Sequence, residues 1–297
     1  MSALFSAALA ASAQAAGEQS YPQGSLYVVA TPIGNLADIS LRALHVLALV
    51  DTIACEDTRH TQALLRAYGI DKPLLALHQH NESQAAQGVV DLLRQGRRVA
   101  YVSDAGTPGV SDPGARLVQA VQAQGLRAIP LPGASSVTTL LSVTGMRDEA
   151  ASGFVFAGFL PSKSAERQVA VQALASEQRA TVLLEAPHRI DALAQALAVL
   201  GERLVTVGRE LTKQFEEIAT VSAQALPAWL AHDSNRLRGE FVLVLHPLAA
   251  PVATGDDTRV LRLLLEQLPL KTAVKLAADI TGQARNHLYE RALELKK

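Results

Sequence analysis

A single cysteine, Cys55, occurs in 297 residues. No internal disulfide is possible, and a reducing, cytoplasmic compartment is the natural expectation. No apolar run reaches the roughly 18 residues that a membrane-spanning helix needs. Neither sign of charge dominates, with 27 Lys and Arg against 28 Asp and Glu. A generally basic nucleic-acid binder is therefore excluded, and any RNA contact requires a local basic face. Residues 1–23 contain no Lys or Arg. The positive n-region of a secretory leader is thus missing, although the 11–13 stretch ASA mimics a cleavage site. This Ala-rich stretch is expected to be a disordered or weakly helical tail.

The phosphate-binding signatures are missing too. No loop reads G-x-x-x-x-G-K-[ST] or G-x-G-x-x-G. What stands in their place is a set of three loops: ATPIGN at 30–35, SDAGTPG at 103–109 and LPGASS at 131–136. Each follows an apolar run and precedes a helical pattern. In an open α/β sheet such turns sit at the carboxyl ends of strands, where ligands bind. Gly and Pro permit tight turns and let a ligand approach backbone amides. Asp104 and Asp112 have no Lys or Arg between them. Close like charges would repel a polyphosphate. Ribose hydroxyls, an amine or a cationic group suit carboxylates better, and S-adenosylmethionine offers all of these without a phosphate.

The length predicts about two domains. A hydrophobic content of 49% is ample for packed cores. From residue 25 onward, strand and helix patterns alternate. Strands are expected at 26–30, 52–55, 74–77, 99–102 and 128–131, with helices at 40–49, 58–68, 83–95 and 114–124. This alternation predicts a mainly parallel sheet covered by helices. A second α/β unit begins at Pro132-Gly133, with strands at 155–159, 181–185, 204–207 and 239–245. Helices at 135–143, 165–174 and 190–200 accompany them. The organisation is then 1–23 as tail, 24–131 and 132–248 as two α/β domains, and 254–297 as a helical segment. The last has three helical patterns broken at Pro269 and at Thr281-Gly282. Its Arg259, Arg262, Lys271, Lys275, Arg285 and Arg291 make it a candidate RNA contact, or else a solvated face.

The stretches LYVVATPIGNL at 26–36, EDTRH at 56–60, HQHNE at 78–82 and SDAGTPGVSDPG at 103–114 carry a resemblance. So do LPGASS at 131–136, FAGFLP at 156–161, EAPHR at 185–189 and RELTK at 209–213. From about residue 24 to its end the chain resembles the ribosomal RNA small subunit methyltransferase I family of the tetrapyrrole-methylase-like superfamily. The resemblance implies an α/β fold of two tetrapyrrole-methylase-type domains, with a cofactor cleft between them and a small C-terminal helical segment. It implies S-adenosylmethionine-dependent 2′-O-ribose methylation of a cytidine in 16S rRNA, hence the small ribosomal subunit as partner, and a homodimer.

Methyl transfer is an in-line attack on a sulfonium carbon, so the protein supplies position and a base. A ribose hydroxyl is a poor acid, and a general base contributes about 10²–10⁴-fold. Glu185 and His188, at a predicted strand end, are the candidate catalytic residues. Pro32, Gly34, Asp104, Gly106, Ser135 and Ser136 are the candidate cofactor-binding residues. The two serines open a helix, where backbone donors are free. Arg59, His78, Asn81, Arg189, Arg209 and Lys213 are candidate substrate contacts, the basic ones by meeting phosphates. Ion pairing within their own clusters is the competing explanation for the basic residues. His78 and His80 alternate on a strand tip; with Glu82 they do not amount to an expected metal site. Two alternatives stay open: a small-molecule or tetrapyrrole methylase, and a non-catalytic ribosome assembly factor.

Overall fold

The computed structural model describes residues 5–77, 82–146, 153–248, 256–281 and 283–295. The stretch expected as a tail begins with helix α1 (Ser6–Ala16). Alanine has the best helix propensity, and α1 is not left to propensity alone. Ser12 and Ala16 are buried, and Phe5, Ala8 and Leu9 pack on the core beneath them. Of the two expectations for this stretch, the helical one describes residues 6–16, and the helix is docked on the core rather than free.

The first sheet contains β1 (Ser25–Val29), β2 (Thr52–Cys55), β3 (Leu74–Ala76), β4 (Val99–Val102) and β5 (Arg127–Leu131). Its order is β3-β2-β4-β1-β5, and every pairing is parallel. The connecting helices are α2 (Leu41–Leu49), α3 (Thr58–Tyr68), α4 (Glu82–Arg94) and α5 (Gly114–Ala123). Ser40 caps α2 by accepting from the Ala43 amide at 3.1 Å. One face of the sheet packs against α1, α2 and α3, and the other against α4 and α5. Pro130 is tolerated because β5 lies at an edge. The order also makes β4, β1 and β5 neighbours. The three loops therefore leave adjacent strands at one end of the sheet.

The chain then crosses to a second sheet through α6 (Ser136–Leu141). This sheet contains β6 (Phe154–Gly158), β7 (Ala180–Glu185), β8 (Leu204–Arg209), β9 (Glu217–Ser222) and β10 (Phe241–Leu245). Its order is β6-β7-β10-β8-β9, and only β6–β7 is parallel. Helices α7 (Ser164–Leu174), α8 (Ile190–Leu197) and α9 (Leu226–Ala231) cover one face. Val137 and Leu140 of α6 pack on the other face with Val182, Val242 and Val244. The sequence patterns miss β9 and α9. Strand β9 is only half-buried, and a Pro sits at the start of the short α9.

Three further helices, α10 (Asp256–Gln267), α11 (Leu270–Thr281) and α12 (Arg285–Leu295), enclose a small core of Leu261, Val274, Ala277, Ala278, Leu288 and Ala292. Arg259, Arg262, Lys271, Lys275 and Arg291 are exposed around it. Among the described residues, no helix is long and apolar enough to cross a membrane.

Candidate active site

The three loops are stitched together by hydrogen bonds. Thr31 and Gly106 exchange both backbone bonds, each at 3.0 Å. The Thr107 hydroxyl donates to the Ala134 carbonyl at 3.0 Å. Together with the second sheet they enclose a cavity of about 460 Å³. Of the six candidate cofactor residues, Asp104, Gly106, Ser135 and Ser136 line it. Pro32 and Gly34 do not. Ile33, between them, faces the cavity instead. Gly34 is directed at the loop after β8: a Cβ there would lie 2.4 Å from Lys213 Cγ and 3.1 Å from the Leu211 carbonyl. Its role is therefore close packing between the two sheets' loops. That opposing loop is itself tightly wound, with Glu210 and Thr212 at φ of 52° and 66°.

Five carboxylates line the cavity: Glu56, Asp104, Asp112, Glu185 and Glu240. No Lys, Arg or His is among the described lining residues. Asp112 has a structural task, since it accepts from the Tyr101 hydroxyl at 3.0 Å and the Gly114 amide at 2.8 Å. Glu56 accepts from the Asp104 amide at 3.3 Å, and Asp104 from the Asp57 amide at 3.3 Å. Burial pushes the Glu56 carboxyl above its usual range, the Asp104 amide opposes this, and the negative charges of Asp104 and Asp112 add to the rise. In the sequence Glu56 stands out only as the first residue of the EDTRH stretch. Its neighbours in space come from β4, which no local pattern reveals. The rest of the lining is mostly apolar, including Ile33, Val137, Leu184, Leu211 and Val242.

Glu185 ends β7 and is 2% exposed. Its Oε1 accepts from the Ala186 amide at 2.9 Å and pairs with Arg189 at 3.1 Å. Its Oε2 has no hydrogen-bond partner among the described residues. A buried carboxylate oxygen without a partner is costly unless something completes it. His188, the other catalytic candidate, is exposed on the following turn and does not line the cavity.

A family model described as tetrapyrrole (corrin/porphyrin) methylases matches residues 25–227, and one for the RsmI C-terminal HTH domain matches residues 251–296. The ribosomal RNA small subunit methyltransferase I of Escherichia coli O157:H7 is 47% identical over 276 residues, covering 92% of this chain and 96% of the relative. That of Pseudomonas aeruginosa is 46% identical, covering 91% of this chain and 97% of the relative. The chain belongs to the ribosomal RNA small subunit methyltransferase I family, within the tetrapyrrole methylases. Among solved structures, a uroporphyrin-III C-methyltransferase from Thermus thermophilus superposes with a TM-score of 0.54 at 21% identity, covering 75% of this chain and 94% of that one. Diphthine synthase gives 0.56 at 15% identity, covering 75% and 90%. These two likenesses show the fold alone.

The basic residues that the family motifs singled out are mostly committed inside the molecule. Arg189 pairs with Glu185 and donates from Nη2 to the Leu160 carbonyl. Arg209 is 7% exposed, faces Glu217 at 3.6 Å and donates to the Phe215 carbonyl at 3.4 Å. Lys213 bridges Glu210 at 2.8 Å and Glu240 at 3.0 Å. Breaking a buried pair costs about 3–5 kcal/mol, so the expectation that Arg189 and Arg209 meet phosphates is corrected to ion pairing. Glu217 faces Arg209 through the β8–β9 pairing and Glu240 lies 27 residues beyond Lys213, neither of which a local pattern reveals. Arg59 is different. Its side chain is 91% exposed and, among the described residues, pairs with Asp57 alone, at 2.8 Å, along a shallow groove shared with Gln62 and Arg66. His78 and Asn81 lie outside the described residues.

Proposed function

We propose that this chain is a methyltransferase that moves a methyl group from S-adenosylmethionine to the ribose 2′-oxygen of a cytidine in small-subunit rRNA. The observation that carries the reading is the cavity lining: five carboxylates, backbone turns and apolar side chains, without a basic group. Such a donor set fits a cationic, phosphate-free ligand and repels a polyphosphate. S-adenosylmethionine supplies, when bound, a methyl group on a sulfonium centre. Asp104 and Glu56 suit its hydroxyls or amine, while Gly106, Ser135 and Ser136 bring it close to backbone. Relatives named ribosomal RNA small subunit methyltransferase I, alike over nine-tenths of the chain, support rRNA as the acceptor.

The acidic lining also bears on how RNA enters. Phosphates are kept outside, and one nucleotide reaches in with its sugar and base. Glu185 Oε2 is the base that takes the 2′-hydroxyl proton, and Arg189 is the positioning residue that holds its other oxygen. His188 has no part in proton transfer. The exposed cations of α10–α12 and Arg59 contact rRNA phosphates outside the cavity. A small acidic macrocycle as acceptor would find no basic partner in the lining. The protein works as a homodimer in the cytoplasm.

The test is transfer of labelled methyl to small subunits lacking the modification, followed by alkaline hydrolysis. A 2′-O-methyl group blocks cleavage at its own linkage. The expected product is one labelled, alkali-resistant dinucleotide beginning with cytidine. Label that alkali releases as a mononucleotide would contradict ribose methylation. Label appearing only on a tetrapyrrole would contradict the acceptor.

A further inference from the structure

We propose that Phe159 is a stacking platform for the base of the nucleotide being methylated. The inference rests on the functional reading above and extends it to a subsite. A nucleotide that presents its 2′-hydroxyl inside the cleft carries its base in with it. That base has flat apolar faces and needs a surface to lie on.

Phe159 lines the cavity and is 50% exposed. The other aromatic residue among the described lining, Phe241, is buried in β10 at 2% exposure. An exposed phenylalanine is by itself unremarkable on a protein surface. Two features set this one apart. The first is how the chain delivers it. The pairing of β6 with β7 shifts register between Phe156 and Gly158, and Gly158 has a φ of +63°. A bulge with glycine in the left-handed region bends a strand and re-aims the side chain that follows. Phe159 is that side chain.

The second feature is how the turn is held. Leu160 is buried, and its carbonyl accepts from Arg189 Nη2. The same guanidinium pairs with Glu185 Oε1 at 3.1 Å. One cation therefore ties the ring-bearing turn to the carboxylate that takes the proton. Ring and carboxylate keep a fixed relation, as a pocket that grips base and sugar of one residue requires. Stacking on an aromatic face tolerates any base but demands the flat ring. An aliphatic side chain of similar bulk lacks it.

The test uses the full-length protein with Phe159→Leu and Phe159→Trp. Three quantities are measured: kcat/KM for small subunits lacking the modification, S-adenosylmethionine affinity by calorimetry, and melting temperature. Phe159→Leu is expected to lose about 10- to 100-fold in kcat/KM, while Phe159→Trp stays close to the wild type. Cofactor affinity and melting temperature are expected to hold in both. A Phe159→Leu variant as active as the wild type overturns the platform and leaves the methylation reading standing. Cofactor affinity falling in step with kcat/KM overturns it as well, by giving the ring to the cofactor's adenine. A wild-type protein that transfers no methyl to subunits refutes the methylation reading, and the platform with it.

Discussion

The cleft wall contributed by the first sheet consists of tight turns and the carboxylates of Glu56, Asp104 and Asp112, whereas the wall from the second sheet is more apolar and holds Glu185, Glu240 and Phe159. Their topologies differ in parallel with this. Every strand of the first sheet points the same way, so its carboxyl ends gather the three loops after β4, β1 and β5. In the second sheet β10 runs antiparallel between β7 and β8, and the end of β7 lies beside the start of β10, with Glu185 opposite Phe241. On the proposed function, the cofactor lies mainly against the first wall, and the acceptor and its proton against the second.

That division can be broken most sharply at Glu185. Glu185→Gln removes the proposed base but keeps the shape, and methyl transfer is expected to fall by about 10²–10⁴-fold. Single-turnover rates measure it; a loss under threefold would place the base elsewhere. The seam between the walls is tested by Gly34→Val. Its branched side chain would collide with Lys213 and the Leu211 carbonyl. A destabilisation of about 1–3 kcal/mol is expected from such overpacking. An unchanged denaturation midpoint would show that the seam is not closed in solution.

The smallest effect is a pH dependence confined to the first wall. Glu56 is raised above its usual value of 4.5, chiefly by burial. A carboxyl raised in the folded state holds its proton more tightly there than in the unfolded chain. Stability therefore falls as pH rises from the unfolded value through the folded one, and the loss persists at neutral pH. Glu56→Gln should accordingly raise the melting temperature at pH 7, with the gain vanishing near about pH 4. A gain of equal size at both pH values would trace it to packing rather than charge.

The first wall was far more legible in the sequence than the second. Its loops announce themselves because Gly and Pro punctuate apolar runs, and a parallel α/β unit repeats one local pattern. Helix α3 and strands β2 and β4 fall at the residues the pattern predicts. The second wall depends on partners that strand pairing brings together. Arg209 pairs with Glu217 on β9, a strand whose half-exposed sequence gives no clear alternation. Lys213 reaches Glu240 only because β10 returns between β7 and β8. Arg189 looked available for phosphates for the same reason, since nothing local reveals its bond to the Leu160 carbonyl. The docking of helix α1 is not legible because its alanines carry little amphipathic pattern, and Phe5 and Leu9 supply the packing.

The most direct test of the division of labour is a calorimetric titration of S-adenosylmethionine into the wild type, Asp104→Ala and Glu185→Gln. Asp104→Ala should bind about 10- to 100-fold more weakly, the weight of a charged hydrogen bond, while Glu185→Gln binds like the wild type. Equal weakening in both variants, or weakening in Glu185→Gln alone, would contradict the account.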